Sequence, residues 1–145
     1  MNLETVGGRS PLVLVVDPTI ASRHRMWRAL SRAFGVLEAV SADTARKWIH
    51  SRPDIDALVV QEELPGQNGV DFVRELASAE HPIARRTILQ AKSVLEAGSV
   101  DSVRGVTWIE QGDLRGVSTK LAGWLLIRDT GTAKALMREV ERLGA

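Results

Sequence analysis

Short apolar runs alternate with stretches of helical periodicity along this chain. Leu12-Val13-Leu14-Val15-Val16 is unbroken and β-branched, which predicts a strand buried on both faces. Ile20, Trp27, Leu30 and Phe34 then recur at helical spacing, predicting a first helix with a buried Ile20/Trp27/Leu30 stripe and Gly35 as its C-cap. Val36 to Val40 reads as a second strand. Ala45, Trp48 and Ile49 mark a second helix, with Ser41 and Asp43 as capping candidates and Pro53 closing it. Ile55 to Val60 is a third strand, ending in a turn-rich loop from Gln61 to Gly69, and Val70, Val73, Leu76 and Ala77 supply a third helix. Thr87 to Gln90 is a fourth strand, followed by a weak helical stretch from Ser93 to Arg104 that Gly98 interrupts. Val106 to Ile109 is a fifth strand. Leu114, Val117, Leu121, Trp124 and Leu125 form a clear stripe, and after the breakers Thr130-Gly131-Thr132 a last one follows at Ala133, Leu136, Met137, Val140 and Leu143.

This alternation predicts an α/β fold, a doubly wound five-stranded parallel sheet with one helix more than five βα units need. Residues 1–10, with Gly7, Gly8 and a Ser10-Pro11 step, read as a flexible tail. The sheet domain then spans 11–128 and a helical extension 129–145. Such folds place ligands beyond the carboxyl ends of the strands, which directs attention to Asp17 and Pro18, Gln61 to Glu63, Gln90 and Ala91, and Glu110 and Gln111.

Composition narrows the chemistry. In 145 residues there is no cysteine, which removes disulfides, thiolate nucleophiles, Cys-ligated zinc and iron–sulfur clusters. A formal charge of +1 supplies no overall field for nucleic acid, so none is expected as a partner. The N-terminal residues lack the pattern of a signal peptide and no apolar run approaches a membrane span, so the expectation is a soluble, cytoplasmic protein with no membrane partner.

Val13-Leu14-Val15-Val16-Asp17, the loop Leu64-Pro65-Gly66-Gln67-Asn68-Gly69-Val70, and Gly35 followed by Glu38-Ala39-Val40 resemble, in order and spacing, the receiver domains of bacterial response regulators. The resemblance covers roughly residues 11–128 and implies a flavodoxin-like, receiver-type fold. It also implies a phosphoryl-accepting Asp at the end of strand three, four residues before the loop proline. That position holds Gln61, whose amide is no phosphoryl nucleophile. The family's acidic pair after strand one becomes Asp17-Pro18, leaving one carboxylate of the set that would hold Mg²⁺. Its hydroxyl at the end of strand four falls on Gln90. Its strand-five lysine falls on Glu110, where a carboxylate repels what lysine attracts. The resemblance therefore implies the scaffold of a receiver with a degenerate phosphorylation pocket at Asp17, Pro18, Gln61, Gln90 and Glu110, no metal and no cofactor.

Each of these residues has a plainer reading. Asp17 before Pro18 is also a helix cap with Pro at the first helical position, and the cap is favoured. Glu62 and Glu63 are candidates to replace lost carboxylates, against the favoured reading of an exposed charged loop. Arg23, Arg25, Arg28 and Arg32 with His24 make the first helix basic, read as a solvated face rather than a phosphate-binding one. His24, His50 and His81 have no metal-site spacing. Trp108, Trp124, Leu126 and Ile127 are the candidate interaction surface, core packing being the competing account of the tryptophans. The final stripe must pack on something, either within the chain against Leu126 and Ile127 or between two chains, and the expectation leans toward a homodimer through the 114–125 helix and the C-terminal helix.

The leading functional reading is thus a non-catalytic pseudo-receiver, docking a signalling protein without phosphorylation. The alternatives are an atypical receiver still switched by phosphate or metal, and a small flavodoxin-like enzyme or nucleotide binder. No Gly-rich phosphate loop follows strand one, which disfavours the last.

Overall fold

A computed structural model of the chain describes residues 10–92 and 105–144. The tail expected over 1–10 lies outside them except for Ser10, as do the weak helix expected over 93–104 and Ala145. Five parallel strands form one sheet: β1 (Leu12–Val16), β2 (Gly35–Ala39), β3 (Ala57–Gln61), β4 (Thr87–Ala91) and β5 (Thr107–Glu110), in the order β2-β1-β3-β4-β5. The helices are α1 (Ile20–Leu30), α2 (Ala42–Ser51), α3 (Gly69–Ser78), α4 (Leu114–Leu125) and α5 (Thr130–Arg142), and a 3₁₀ segment, Pro82–Arg86, leads into β4. This is the doubly wound architecture that the alternation predicts, with the receiver-type form that the resemblance implies.

Strand alternation sorts the core into two halves. Val13, Val15, Val59 and Ile88 face α1, α4 and α5, where they meet Leu30, Phe34, Val117, Leu121 and Leu136. Leu14, Val16, Leu58, Val60 and Leu89 face α2 and α3, where Phe72 and Val73 are fully buried. Every residue of β1, β3 and β4 is buried, as central strands covered on both sides must be.

Several local expectations are corrected. The inward face of α1 is Met26, Ala29 and Leu30, whereas Ile20 is 74% exposed and Trp27 42% exposed. The apolar spacing fitted two faces of one helix, and packing against the sheet took the one with small Ala29 at its centre. Gly35 is no C-cap: α1 ends at Leu30 and Gly35 opens β2, its amide donating to the Pro11 carbonyl. Ser41 does cap α2, accepting from the Thr44 amide at 3.2 Å.

The C-terminal helix packs within the chain. Leu136 and Val140 are fully buried in the cluster that contains Met26, Leu30, Leu121 and Leu125. Leu126 joins that cluster, but Ile127 is 73% exposed and takes no part. The stripe is therefore covered by α1 and α4 of its own chain and needs no second copy, contrary to the lean toward a dimer. Basic residues of α1 and of the turn after it assist: Arg32 lies 3.5 Å from the Glu139 carboxylate, and Arg25 donates to the Leu143 carbonyl at 3.3 Å. Part of the basic face read as solvated thus holds α5.

Candidate functional site

The same alternation that sorts the core also builds a cleft at the carboxyl end of the sheet. Continuing β1, β3 and β4 on the α1/α4 face, past Val15, Val59 and Ile88, brings Asp17, Gln61 and Gln90 to that face. In β5, Ile109 packs toward this face and Trp108 toward the other, so the next residue here is Gln111 and Glu110 points away. Asp17, Gln61, Gln90 and Gln111 accordingly line one cleft with Pro18, while Glu110 is exposed and does not line it. The placement of Glu110 in the pocket is corrected by one residue. The register of a four-residue strand after a shortened connection was not fixed by the sequence pattern.

Gln61 and Gln90 are direct neighbours in the β3–β4 register, and the Nε2 of Gln61 donates to the Oε1 of Gln90 at 2.7 Å in a buried side-chain bond. Below it, the Glu62 amide donates to the Gln90 carbonyl at 2.8 Å. Neither glutamine can supply a carboxylate nucleophile.

Asp17 is 2% exposed. Its Oδ1 accepts from the Thr19 amide at 2.8 Å and its Oδ2 from the Ser22 hydroxyl. Thr19 is the N-cap of α1 and makes no side-chain cap of its own, so the Asp17 carboxylate organises the entry to the helix from two residues earlier. The capping role holds in kind, with Pro18 before the cap rather than at the first helical position. A receiver-type Mg²⁺ does not fit this arrangement: both Asp17 oxygens are engaged by protein donors, an imino acid follows it, and amides stand where further oxygen anions would be. Among the described residues, no group of three or more His, Cys, Asp or Glu is placed to hold a metal ion.

The mouth of the cleft is formed by the loop after β3. Glu62 and Glu63 line it, and Glu63 is paired with Lys92 at 3.0 Å, both largely exposed. The loop is shaped by Gly69, whose amide donates to the Glu62 carbonyl at 2.7 Å, and by Asn68, which caps α3 by accepting from the Asp71 amide at 2.8 Å. Arg46 of α2 secures it from the side, bonding Glu75 at 2.8 Å and the Gln67 side chain and lying 5.6 Å over the Phe72 ring. Gln111, one of the strand-end residues that the fold class singled out, lines the cleft, and Arg25 is a cleft residue that sequence reasoning did not assign. The helical spacing from Ser22 to Arg25 and Met26 was the available signal.

The candidate interaction residues are not gathered on one surface. Trp108 packs on the α2/α3 side of the sheet, Trp124 and Leu126 on the α1/α4 side, Leu126 is buried, and Ile127 is exposed. Trp124 instead sits under Lys120, 5.5 Å from its ring.

Comparison with solved structures places this geometry. A response regulator from Chloroflexus aurantiacus superposes with a TM-score of 0.68 at 16% identity, covering 81% of this chain and 99% of that one. A response regulator receiver protein from Pseudomonas putida gives 0.66 at 24% identity, covering 79% and 97%. The signal receiver domain of an HD domain-containing protein from Pseudomonas fluorescens gives 0.67 at 17%, covering 80% and 94%. The chain has the receiver fold. No family model matches it. In sequence, the hydrogenase transcriptional regulatory protein HoxA of Cupriavidus necator is 34% identical over 76 residues, which is 52% of this chain and 16% of that regulator's length. In the receiver fold, then, the cleft at the strand ends carries amides at Gln61, Gln90 and Gln111.

Proposed function

We propose that this chain is a pseudo-receiver of two-component-type signalling, a receiver fold that takes no phosphoryl group and acts by docking a signalling protein. The observation that carries the reading is the buried bond between Gln61 and Gln90. It occupies the end of β3 with an amide that has no nucleophilic oxygen anion and joins it to the end of β4 without any ligand. The engagement of Asp17 by Thr19 and Ser22 supports the same conclusion, since that carboxylate serves the fold. No catalytic residues are assigned, and no cofactor is needed for docking. No helix among the described residues is long and apolar enough to cross a membrane, which accords with a role inside the cell.

A second reading has one observation in its favour: Glu62 and Glu63 line the same cleft as Asp17. Under it, a glutamate accepts phosphate or helps hold a metal. The Glu63–Lys92 pair and the exposure of both partners favour the plain surface loop instead. Amide NMR spectra of the chain with and without Mg²⁺ and acetyl phosphate separate the two. The pseudo-receiver reading requires superimposable spectra, and saturable shifts at Glu62, Glu63 and Asp17 favour the second.

A further inference from the structure

Neither the core nor the cleft uses the outward face of α1. Met26, Ala29 and Leu30 turn inward, which leaves Ile20, His24 and Trp27 on the opposite side, four and three residues apart. All three are exposed, and the His24 ring stacks on the Trp27 indole with centroids 6.1 Å apart and planes 17° from parallel. A lone exposed apolar residue calls for no explanation, whereas two joined by a stacked ring into one strip do. The charge around this strip is one-sided. From Ile20 to Arg32 the chain carries Arg23, Arg25, Arg28 and Arg32 and no acidic residue. On the β2 side Arg23 is matched by Glu38 at 2.9 Å. On the α5 side Arg32, at 3.5 Å, and Arg142, donating at 2.9 Å, share the one buried carboxylate of Glu139. Glu141, the other carboxylate of α5, lies 3.8 Å from Arg115 of α4. Arg25 donates to the neutral Leu143 carbonyl, and Arg28 is exposed beside Trp27. Five guanidiniums therefore meet two carboxylates, and the excess positive charge runs along the strip and toward α5.

We propose that the outward face of α1 docks an acidic amphipathic helix of a partner protein. The apolar edge of that helix sits on Ile20 and Trp27, and its Asp and Glu residues face Arg25, Arg28 and the arginines around Glu139. Tryptophan and arginine supply much of the binding energy where they are gathered at an interface, and guanidiniums pair with carboxylates in a fixed, forked geometry. The strip is one residue wide, which suits a helix laid along it. A membrane-surface helix needs a broad apolar face opposite its cations, and here the apolar and cationic residues share one face while the other is committed to the sheet. Nucleic acid is disfavoured because His24 already covers one face of the Trp27 ring and the chain's net charge of +1 supplies no wider field. The inference rests on the docking half of the pseudo-receiver reading and adds to it a surface and the chemistry of the partner.

The probe is a capped peptide of about 18 residues, long enough to be helical, built of Leu, Ala and Glu with its leucines along one face. It is titrated against the full chain by NMR, beside the same peptide with lysine for each glutamate, a short DNA duplex, and phosphatidylglycerol vesicles. The acidic peptide should move the Trp27 indole N–H and the Ile20 methyl signals saturably and leave the Trp124 indole unmoved. Its affinity should fall at least about tenfold between about 0.05 and about 0.5 M salt, as screening of exposed charges requires. The lysine peptide should bind at least about tenfold more weakly, since like charges then face each other. Ile20→Ser and Arg28→Gln, both at exposed positions, should each weaken the acidic peptide at least about fivefold, with urea unfolding confirming that the variants fold. Absence of saturable shifts, equal binding of the lysine peptide, tighter binding of the duplex or the vesicles, or native affinity in both variants overturns the inference. A mass gain with acetyl phosphate overturns the pseudo-receiver reading itself, whereas failed peptide binding with no mass gain overturns only this inference.

Discussion

Gly69 lies so close to Gln61 that a Cβ on it would stand 2.1 Å from the Gln61 carbonyl oxygen. The contact closes the loop after β3 onto the strand end and fixes where the cleft residues point. Because the obstruction is backbone rather than a flexible side chain, Gly69→Ala must displace either β3 or the start of α3. A loss of about 1–3 kcal/mol in urea unfolding is expected, the usual cost of forcing an added methyl group into a packed site. Gly66, at φ 84° with open space around it, offers a contrast, since its substitution strains only the backbone of an exposed turn.

The C-terminal helix should behave as part of the domain. Leu136→Ala removes a fully buried side chain from the cluster with α1 and α4 and should cost about 2–5 kcal/mol. Deleting residues 130–145 should expose that cluster and promote association, while the full chain stays monomeric. Light scattering of both at high micromolar concentration checks this, and a dimer that falls apart on deletion would mean that α5 packs between chains.

Acid should loosen the same helix. The Arg142 guanidinium, hydrogen-bonded to Glu139, holds that carboxyl below its usual value of 4.5 against the opposing effect of burial, and Arg32, just past α1, and Arg28 within it add to the lowering. A carboxylate whose folded-state pKa is lowered contributes stability that is present above its ordinary pKa and lost as pH falls through the lowered value. Unfolding measured at pH 7 and near pH 3 should show this loss in the native chain, and Glu139→Gln should flatten part of the slope. The Arg46–Glu75 pair, also lowered at its carboxyl, contributes a residual slope of the same sign.

Much of this fold was legible because its strands are buried on both faces. Runs such as Leu12 to Val16 and Ala57 to Val60 fit a strand covered on both faces, and Ser41, one of two capping candidates, does cap α2. Helix α1 was misread because Ile20 and Trp27 carry an apolar period of their own, and periodicity does not say which of two faces a sheet will cover. The cleft was legible in Asp17, Gln61 and Gln90, each at the end of an unambiguous strand. Glu110 was misplaced because β5 is short and only partly buried, so the parity that turns Gln111 inward depends on a register that the pairing with β4 sets. The intrachain seat of α5 was hidden for a different reason: its partners Met26 and Ala29 are remote in sequence, and a stripe does not name what covers it.

Restoring one carboxylate should not restore a receiver. Gln61→Asp leaves Pro18 beside Asp17, the Asp17 oxygens engaged by Thr19 and Ser22, and the Gln90 and Gln111 amides in place of a hydroxyl and a lysine. Mg²⁺-dependent phosphorylation of this single variant is expected to be undetectable by phosphate-affinity electrophoresis.

Intact-mass spectrometry of the native chain after incubation with Mg²⁺ and acetyl phosphate reads directly whether this receiver fold takes a phosphoryl group. With an amide at position 61 and its bond to Gln90 closed, the mass should be unchanged. A stoichiometric, acid-labile gain of one phosphoryl group, mapped to Glu62, Glu63 or Asp17, would contradict it.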